Sequence, residues 1–302
     1  MIILLLLSCL SIGIVLFKIY NHNSKKTENF KISTSSDIKE KISTKSSNHF
    51  WEESTLESTA KQMKKLAIDD TKLQRAAAEV YYEVYFLDSG KSMSSDNSQA
   101  TPSASVIKVF IMEYIYDLVS HQSISMTDII DGETLEHLLK KMIQQSDNDA
   151  TNNLINYFGM ENMNRYFQIA GYSDTKLQRL MLDENARTQG LENYTSLNDC
   201  INYLMKLYES QNNPISKAML EILKGQTIDT KIASRLPDGV EIANKTGELN
   251  TVENDMGIIF AEEPFILVVL SSGVLTSQQM REAIGEFTLE AFNEANANME
   301  GN

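Results

Sequence analysis

Cysteine is almost missing from this 302-residue chain, which carries only Cys9 and Cys200. Two cysteines, one of them inside an apolar run, build neither a disulfide framework nor a cysteine-based zinc site. Histidine is nearly as scarce. His22, His49, His121 and His137 form no HExxH pattern, which argues against a zinc hydrolase, and no metal or organic cofactor is expected. Basic residues are outnumbered, 27 Lys and Arg against 41 Asp and Glu, for a net charge of −14. An acidic surface repels phosphate backbones and argues against a nucleic-acid partner. It still admits an anionic small substrate, because a local lysine can reverse the field inside a cleft. The length suits one large domain or two small ones.

The longest apolar run, Met1 to Phe17, is at the short end of what spans a bilayer. Three readings stay open. It is a signal anchor, a cleaved signal peptide without a small-x-small site, or a lipoprotein signal acylated at Cys9 of Leu6-Leu7-Ser8-Cys9. The lysines follow this run instead of preceding it, which by charge alone would keep the body in the cytoplasm. Residues 1–50 hold seven Lys and three acids, against an acidic remainder. The expected organisation is a membrane anchor or signal segment at 1–20, a flexible Ser/Lys/Thr/Asn-rich linker at 21–50, and one domain at 51–302.

Within the body, Leu56, Met63, Leu66 and Leu73 predict helix over 51–77. Val80 to Leu87 (VYYEVYFL) reads as a strand, followed by a turn at Asp88 to Lys91 and a second strand. An apolar helix is expected from Ser105 to Val119, behind Pro102. Residues 133–209 read as mostly helical, with breaks near Gly159, Gly171 and Gly190. Strands are expected at Val240–Lys245, Met256–Ala261 and Phe265–Ser271, then an amphipathic helix over about 276–293. Strands at both ends around helices predict an α/β (α+β) fold, with one sheet built from both ends of the domain and a helical insertion.

Three short motifs carry the chemistry: Ser105-Val106-Ile107-Lys108, Ser146-Asp147-Asn148 and Lys245-Thr246-Gly247. Singly they are weak, since S-x-x-K recurs at Ser36, Ser58 and Ser173 and S-D-N at Ser95. A serine hydroxyl needs a base to act as nucleophile. At i and i+3 on a helix, Ser105 and Lys108 share a face, and a lysine desolvated among Val106, Ile107 and Val109 loses its proton more readily. No histidine lies near these motifs, so a Ser-His-Asp triad is not the alternative. Ser105 at a helix start also offers an N–H to an oxyanion.

In that order the three motifs resemble the class A β-lactamase and penicillin-binding-protein family of serine hydrolases. ATPSASVIK, LLKKMIQQSDNDATNNLI, GYSDTKLQR and RLPDGVEIANKTGELN extend the likeness over roughly residues 75–293. The resemblance implies a mostly antiparallel sheet flanked by helices plus an all-helical lobe at about 104–235. It implies catalysis by Ser105, Lys108 and Ser146, with an oxyanion hole from the N–H groups of Ser105 and Glu248. Asn148, Lys245, Thr246 and Gly247 would bind a β-lactam or cell-wall peptide. The protein would be a monomer, anchored in the cell membrane with its domain outside the cytoplasm, or else secreted or a lipoprotein.

Three departures stand out. The family's R-W-E-P-E-L-N loop is matched by Arg179-Leu180-Met181-Leu182-Asp183-Glu184-Asn185, with Met181 in place of the water-activating glutamate. A thioether cannot accept a proton, which leaves Asp183 or Glu184 as substitutes or as ordinary loop carboxylates. The stretch from Ser105 to Ser146 is shorter than usual for the family. No arginine follows KTG; Lys231 or Arg235 could replace its charge, although a plain surface role is the expectation for both, and Asp255 puts an acid near this strand. Deacylation is therefore expected to be slow. The alternatives are a DD-peptidase-like hydrolase and a penicillin-binding sensor without turnover.

Overall fold

A computed structural model describes Leu66 and residues 68–297. The expected anchor, the linker and most of the helical stretch 51–77 lie outside the described residues. Where it can be read, that stretch is helical only over α1, Thr71–Arg75. Ala77 already pairs with Val274, so sheet formation overrides the local helical pattern there.

Five strands form one sheet: β1 (Ala77–Phe86), β2 (Ser92–Ser94), β3 (Glu241–Leu249), β4 (Val252–Phe260) and β5 (Phe265–Val274). Their order is β2-β1-β5-β4-β3, and each pairing is antiparallel. Strands from both ends of the domain thus make one sheet, as expected. β3 is an edge strand. It runs four residues past Lys245, because Glu248 and Leu249 still pair with Glu253 and Val252 around a tight turn. The predicted end at Lys245 was too early.

Alternation along β5 divides the core. Ile266, Val268 and Leu270 face one apolar cluster, while Phe265, Leu267 and Val269 face the other. The second cluster is covered by Met280, Ile284 and Phe287 of α9 (Ser277–Ala297). The first belongs to helices between the strands: α2 (Ile107–Ser120), α3 (Leu135–Gln144), α4 (Asn148–Phe158), α5 (Met160–Ile169), and, after the short α6 (Glu184–Thr188), which buries none of its residues, α7 (Leu197–Glu209) and α8 (Pro214–Lys224). At its centre α2 is apolar on nearly all sides and buried. Phe110 packs edge-on against Phe167 and Tyr172. Among the described residues no helix is long and apolar enough to cross a membrane.

Gly257 is fixed by close approach of β3. A Cβ there would lie 2.6 Å from Asn244 Cβ and 2.8 Å from the Ala243 carbonyl oxygen. Gly257→Ala is expected to destabilise the fold by about 1–3 kcal/mol through overpacking. Urea unfolding should show a lower midpoint at unchanged slope; an unchanged midpoint would contradict the close packing.

Candidate active site

Ser105 lies in a 3-10 turn, Ala104–Val106, that feeds into α2. Ala104 has φ +48°, a left-handed conformation that costs an L-residue energy and persists only when its surroundings impose it. Those surroundings grip from two sides. Asn254 of β4 donates to the carbonyls of Pro102 (2.9 Å) and Ser103 (3.2 Å). The Ser103 N–H and hydroxyl both donate to the Asn193 carbonyl, at 2.8 and 3.0 Å. Gly247 completes the contact. A Cβ on it would sit 3.0 Å from Ser103 O and 3.1 Å from Ser105 N, so only glycine lets the sheet edge come this close. Gly247, the residue before Glu248, therefore lies against the Ser105 turn.

Lys108 lies one turn further on and is fully buried. Its Nζ donates to Ser146 O (2.8 Å), Asn148 Oδ1 (2.9 Å) and Ser146 Oγ (3.3 Å). All three acceptors are neutral. Burial brings the Lys108 pKa down to about 7, opposed by the nearby charge of Asp147. The Asp147 carboxylate itself caps α4, accepting from Ala150 N at 2.7 Å. Ser146 takes φ +55°; the turn it makes offers both its carbonyl and its hydroxyl to Lys108. From the other side, Lys245 Nζ donates to Ser146 Oγ at 3.1 Å and to Thr246 O at 2.8 Å. Burial first, and the Lys108 charge second, hold the Lys245 pKa well below its usual value. A hydroxyl between two lysine nitrogens can pass a proton either way.

The fold thus brings residues from α2, the turn before α4, and β3 into one hydrogen-bonded group beside a partly exposed serine. Residues 58–295 match the family model of the "Beta-lactamase enzyme family". The chain belongs to the β-lactamase enzyme family. It is 29% identical to a "Beta-lactamase" of Bacillus licheniformis over 52% of this chain, spanning 53% of that relative's length. It is 25% identical to an "Imipenem-hydrolyzing beta-lactamase" of Enterobacter cloacae, over 66% of this chain and 77% of the relative. The crystal structure of a β-lactamase from Sphaerobacter thermophilus superposes with a TM-score of 0.67 at 24% identity, covering 76% of this chain and 98% of that one. The fold is the β-lactamase/transpeptidase-like one expected from the sequence.

In the loop before α6, Met181 stands where the sequence resemblance would put a water-activating glutamate. Met181 is 8% exposed and packs in the core of the helical lobe. Its N–H donates to Asn152 Oδ1 at 2.8 Å, and Asn152 Nδ2 donates back to its carbonyl at 3.1 Å. Asp183 caps α6 at Ala186 N, and Glu184 pairs with Arg187. Both loop carboxylates have structural partners. The loop's ends are closed by the Arg179–Glu192 ion pair at 2.6 Å and by Asn193, whose side chain binds the backbone of 178 and 179.

Lys231 is not a surface residue. It is fully buried because two carboxylates, Glu248 at 2.7 Å and Glu253 at 2.9 Å, neutralise it. Arg235 is exposed, as expected, and faces Glu286 at 3.5 Å. Asp255 is buried as well, accepting from Asn244 Nδ2 and Ile232 N.

Three asparagines went unremarked in the sequence. Asn152 had a signal, four residues after Asn148 on the same helix face. Asn193 and Asn254 had none, since their partners lie 90 and 152 residues away. Asn152→Ala leaves the Met181 backbone without partners and is expected to destabilise by about 1–3 kcal/mol. Hydrogen exchange at residues 179–182 should accelerate; unchanged protection would mean that Asn152 does not hold the loop.

Proposed function

We propose that the chain is a serine hydrolase whose Ser105 is acylated by β-lactams and which releases the acyl group slowly. Ser105 Oγ attacks the substrate carbonyl as Lys108 Nζ takes the hydroxyl proton. The carbonyl oxygen turns its charge to the N–H groups of Ser105 and Glu248. The C–N bond then breaks, and Ser146 hands the proton to the leaving nitrogen. Asn148, Lys245, Thr246 and Gly247 line the bound substrate. One observation carries this reading: Lys108 Nζ is buried among neutral acceptors, with its pKa near 7. An ordinary lysine is an ammonium at neutral pH and cannot accept a proton. The names of the curated relatives, both β-lactamases, support the substrate class. We place the domain outside the cytoplasm as a monomer, held by the N-terminal apolar segment, with a secreted or lipoprotein form as the alternative.

A second reading has its own support. Neither carboxylate of the 179–185 loop is free to activate water, and Met181 is turned into the core. That favours a DD-peptidase-like enzyme acting on cell-wall peptides, or a penicillin-binding sensor, over a fast β-lactamase.

Incubation with a chromogenic cephalosporin, followed by absorbance and intact mass, separates these. An adduct on Ser105 should form, with turnover well below the ~10 s⁻¹ typical of enzymes. The acylation rate should rise with pH through about 7, because Lys108 accepts a proton only once it has lost its own. Lys108→Ala should lower it by about 10²–10⁴-fold. No adduct on the wild-type protein would sink the β-lactam reading, and a rate flat from pH 5 to 9 would remove Lys108 as base.

Met181→Glu should restore a proton acceptor to the loop. Hydrolysis of the acyl-enzyme should speed up by about 10²-fold or more, while the melting point falls because a carboxylate replaces a buried thioether. A folded variant with unchanged release would show that position 181 does not limit deacylation.

A further inference from the structure

Ser146 meets both lysines of the site, yet its own place is set by residues outside the three motifs. It follows the end of α3 by two positions. The last turn of a helix leaves its carbonyls without partners inside the helix. Two of those in α3, on Ile143 and Gln144, are taken up by a segment 83 residues further on. Gln226 Nε2 donates to Ile143 O at 3.2 Å. Thr227 donates twice to Gln144 O, from its N–H at 3.0 Å and its hydroxyl at 2.8 Å. The Gln144 side chain answers in the other direction, donating to Ile222 O at 3.3 Å. It lies across Gly225, where a Cβ would meet its Nε2 at 2.0 Å.

Gln226 is itself locked. Its Oε1 accepts from Thr227 N at 3.0 Å and from Ile228 N at 3.1 Å, which aims its amide nitrogen at Ile143. The segment is also tied to the sheet. Lys224, at the end of α8, pairs with Glu241 at the start of β3 at 2.9 Å and lies 4.8 Å from the centre of the Phe260 ring on β4. A closed circuit results. β3 holds Lys224, residues 226 and 227 hold the end of α3, and Ser146 just beyond it meets Lys245 of β3 at 3.1 Å. The chain after α3 has little slack, since Asp147 N donates back to Lys141 O at 3.1 Å and the Asp147 carboxylate caps α4. A shift of the helix end therefore moves Ser146.

We propose that Gln226 and Thr227 are positioning residues for the reaction at Ser105. They touch none of the reacting atoms. They hold the end of α3 so that Ser146 stays between Lys108 and Lys245, in place to hand a proton to the leaving nitrogen. This rests on the reading of Ser105 as the acylated group. Gln226 carries the larger share, because its bond to Ile143 is partly buried while that of the Thr227 hydroxyl is exposed.

The test compares acylation of the full chain by a penicillin, whose leaving nitrogen needs a proton, with acylation by p-nitrophenyl acetate, whose phenolate leaves without one. Adducts on Ser105 are read by mass. Gln226→Leu removes the side-chain amide at similar size. It should slow acylation by the penicillin about tenfold or more while changing the ester rate less than about twofold. Thr227→Val should move the ratio of the two rates the same way by less, and it carries the comparison if Gln226→Leu fails to fold. Thr227→Ser, which keeps the hydroxyl, should stay near wild type. Asn213→Ala, which removes the cap at the far end of α8, should lower the melting point and leave the ratio unchanged. Equal slowing of both ligands in the folded variants, no change in either, or a like change of ratio in Asn213→Ala overturns the proposal, since a merely structural role gives those results. Absence of any adduct on the wild-type protein overturns the acylation reading instead. Where either ligand leaves no adduct, an NMR titration of isotope-labelled lysine decides the positioning role, with the Lys108 signal assigned by its loss in Lys108→Ala. Its midpoint should move by about one pH unit or more in Gln226→Leu, because a well-placed acceptor is displaced. An unmoved midpoint overturns the proposal.

Discussion

The hydrogen bonds from the buried Nζ of Lys108 hold the candidate site together. They reach 38 and 40 residues along the chain to Ser146 and Asn148, and so join the start of α2 to the start of α4. An ammonium removed from water needs strong partners or it gives up its proton. Here the partners are a carbonyl, a hydroxyl and an amide, which satisfy its hydrogen bonds without compensating its charge. A carboxylate in their place would keep the lysine charged and useless as a base. The Ser-Asp-Asn sequence solves this locally. Its one acid is drawn off to cap α4, and the two neutral residues on either side of it meet the lysine.

Geometry around the serine follows from packing the turn between elements that cannot move. The left-handed Ala104 is imposed by Asn254 from the sheet and Asn193 from the far end of the 179–193 loop. Gly247 lets β3 press against the same turn. Because β3 is an edge strand, it meets the helical lobe without losing a sheet partner. The sheet therefore sets the distance between Ser105 and the Lys-Thr-Gly strand, and the two apolar clusters on its faces keep that distance constant.

Much of this was legible from sequence. VYYEVYFL and the three late strand runs carry a strong β signal, and they join one sheet as expected. The three motifs sat on the expected elements because helix starts and turns have local signatures. What stayed hidden depends on long-range partners. Ala77 looked helical until its pairing with Val274 is known. Lys231 looked like a surface residue because its neutralising carboxylates, Glu248 and Glu253, lie 17 and 22 positions away on two different strands. Asn193 and Asn254 are ordinary polar residues in the sequence and become structural only where the chain crosses itself.

One departure noted in the sequence bears directly on release of an acyl group. Met181 stands where the sequence resemblance would put a water-activating glutamate, and the loop around it is spent on stability: the Asn152 clasp, the Arg179–Glu192 pair and the cap by Asp183. A protein shaped by fast clearance of an acyl-enzyme has reason to keep a proton acceptor in such a loop. Lys108 and Ser146 are joined without the carboxylates of that loop. A buried lysine among neutral acceptors and a loop whose carboxylates are both partnered together fit the proposed reading, acylation at Ser105 with slow release.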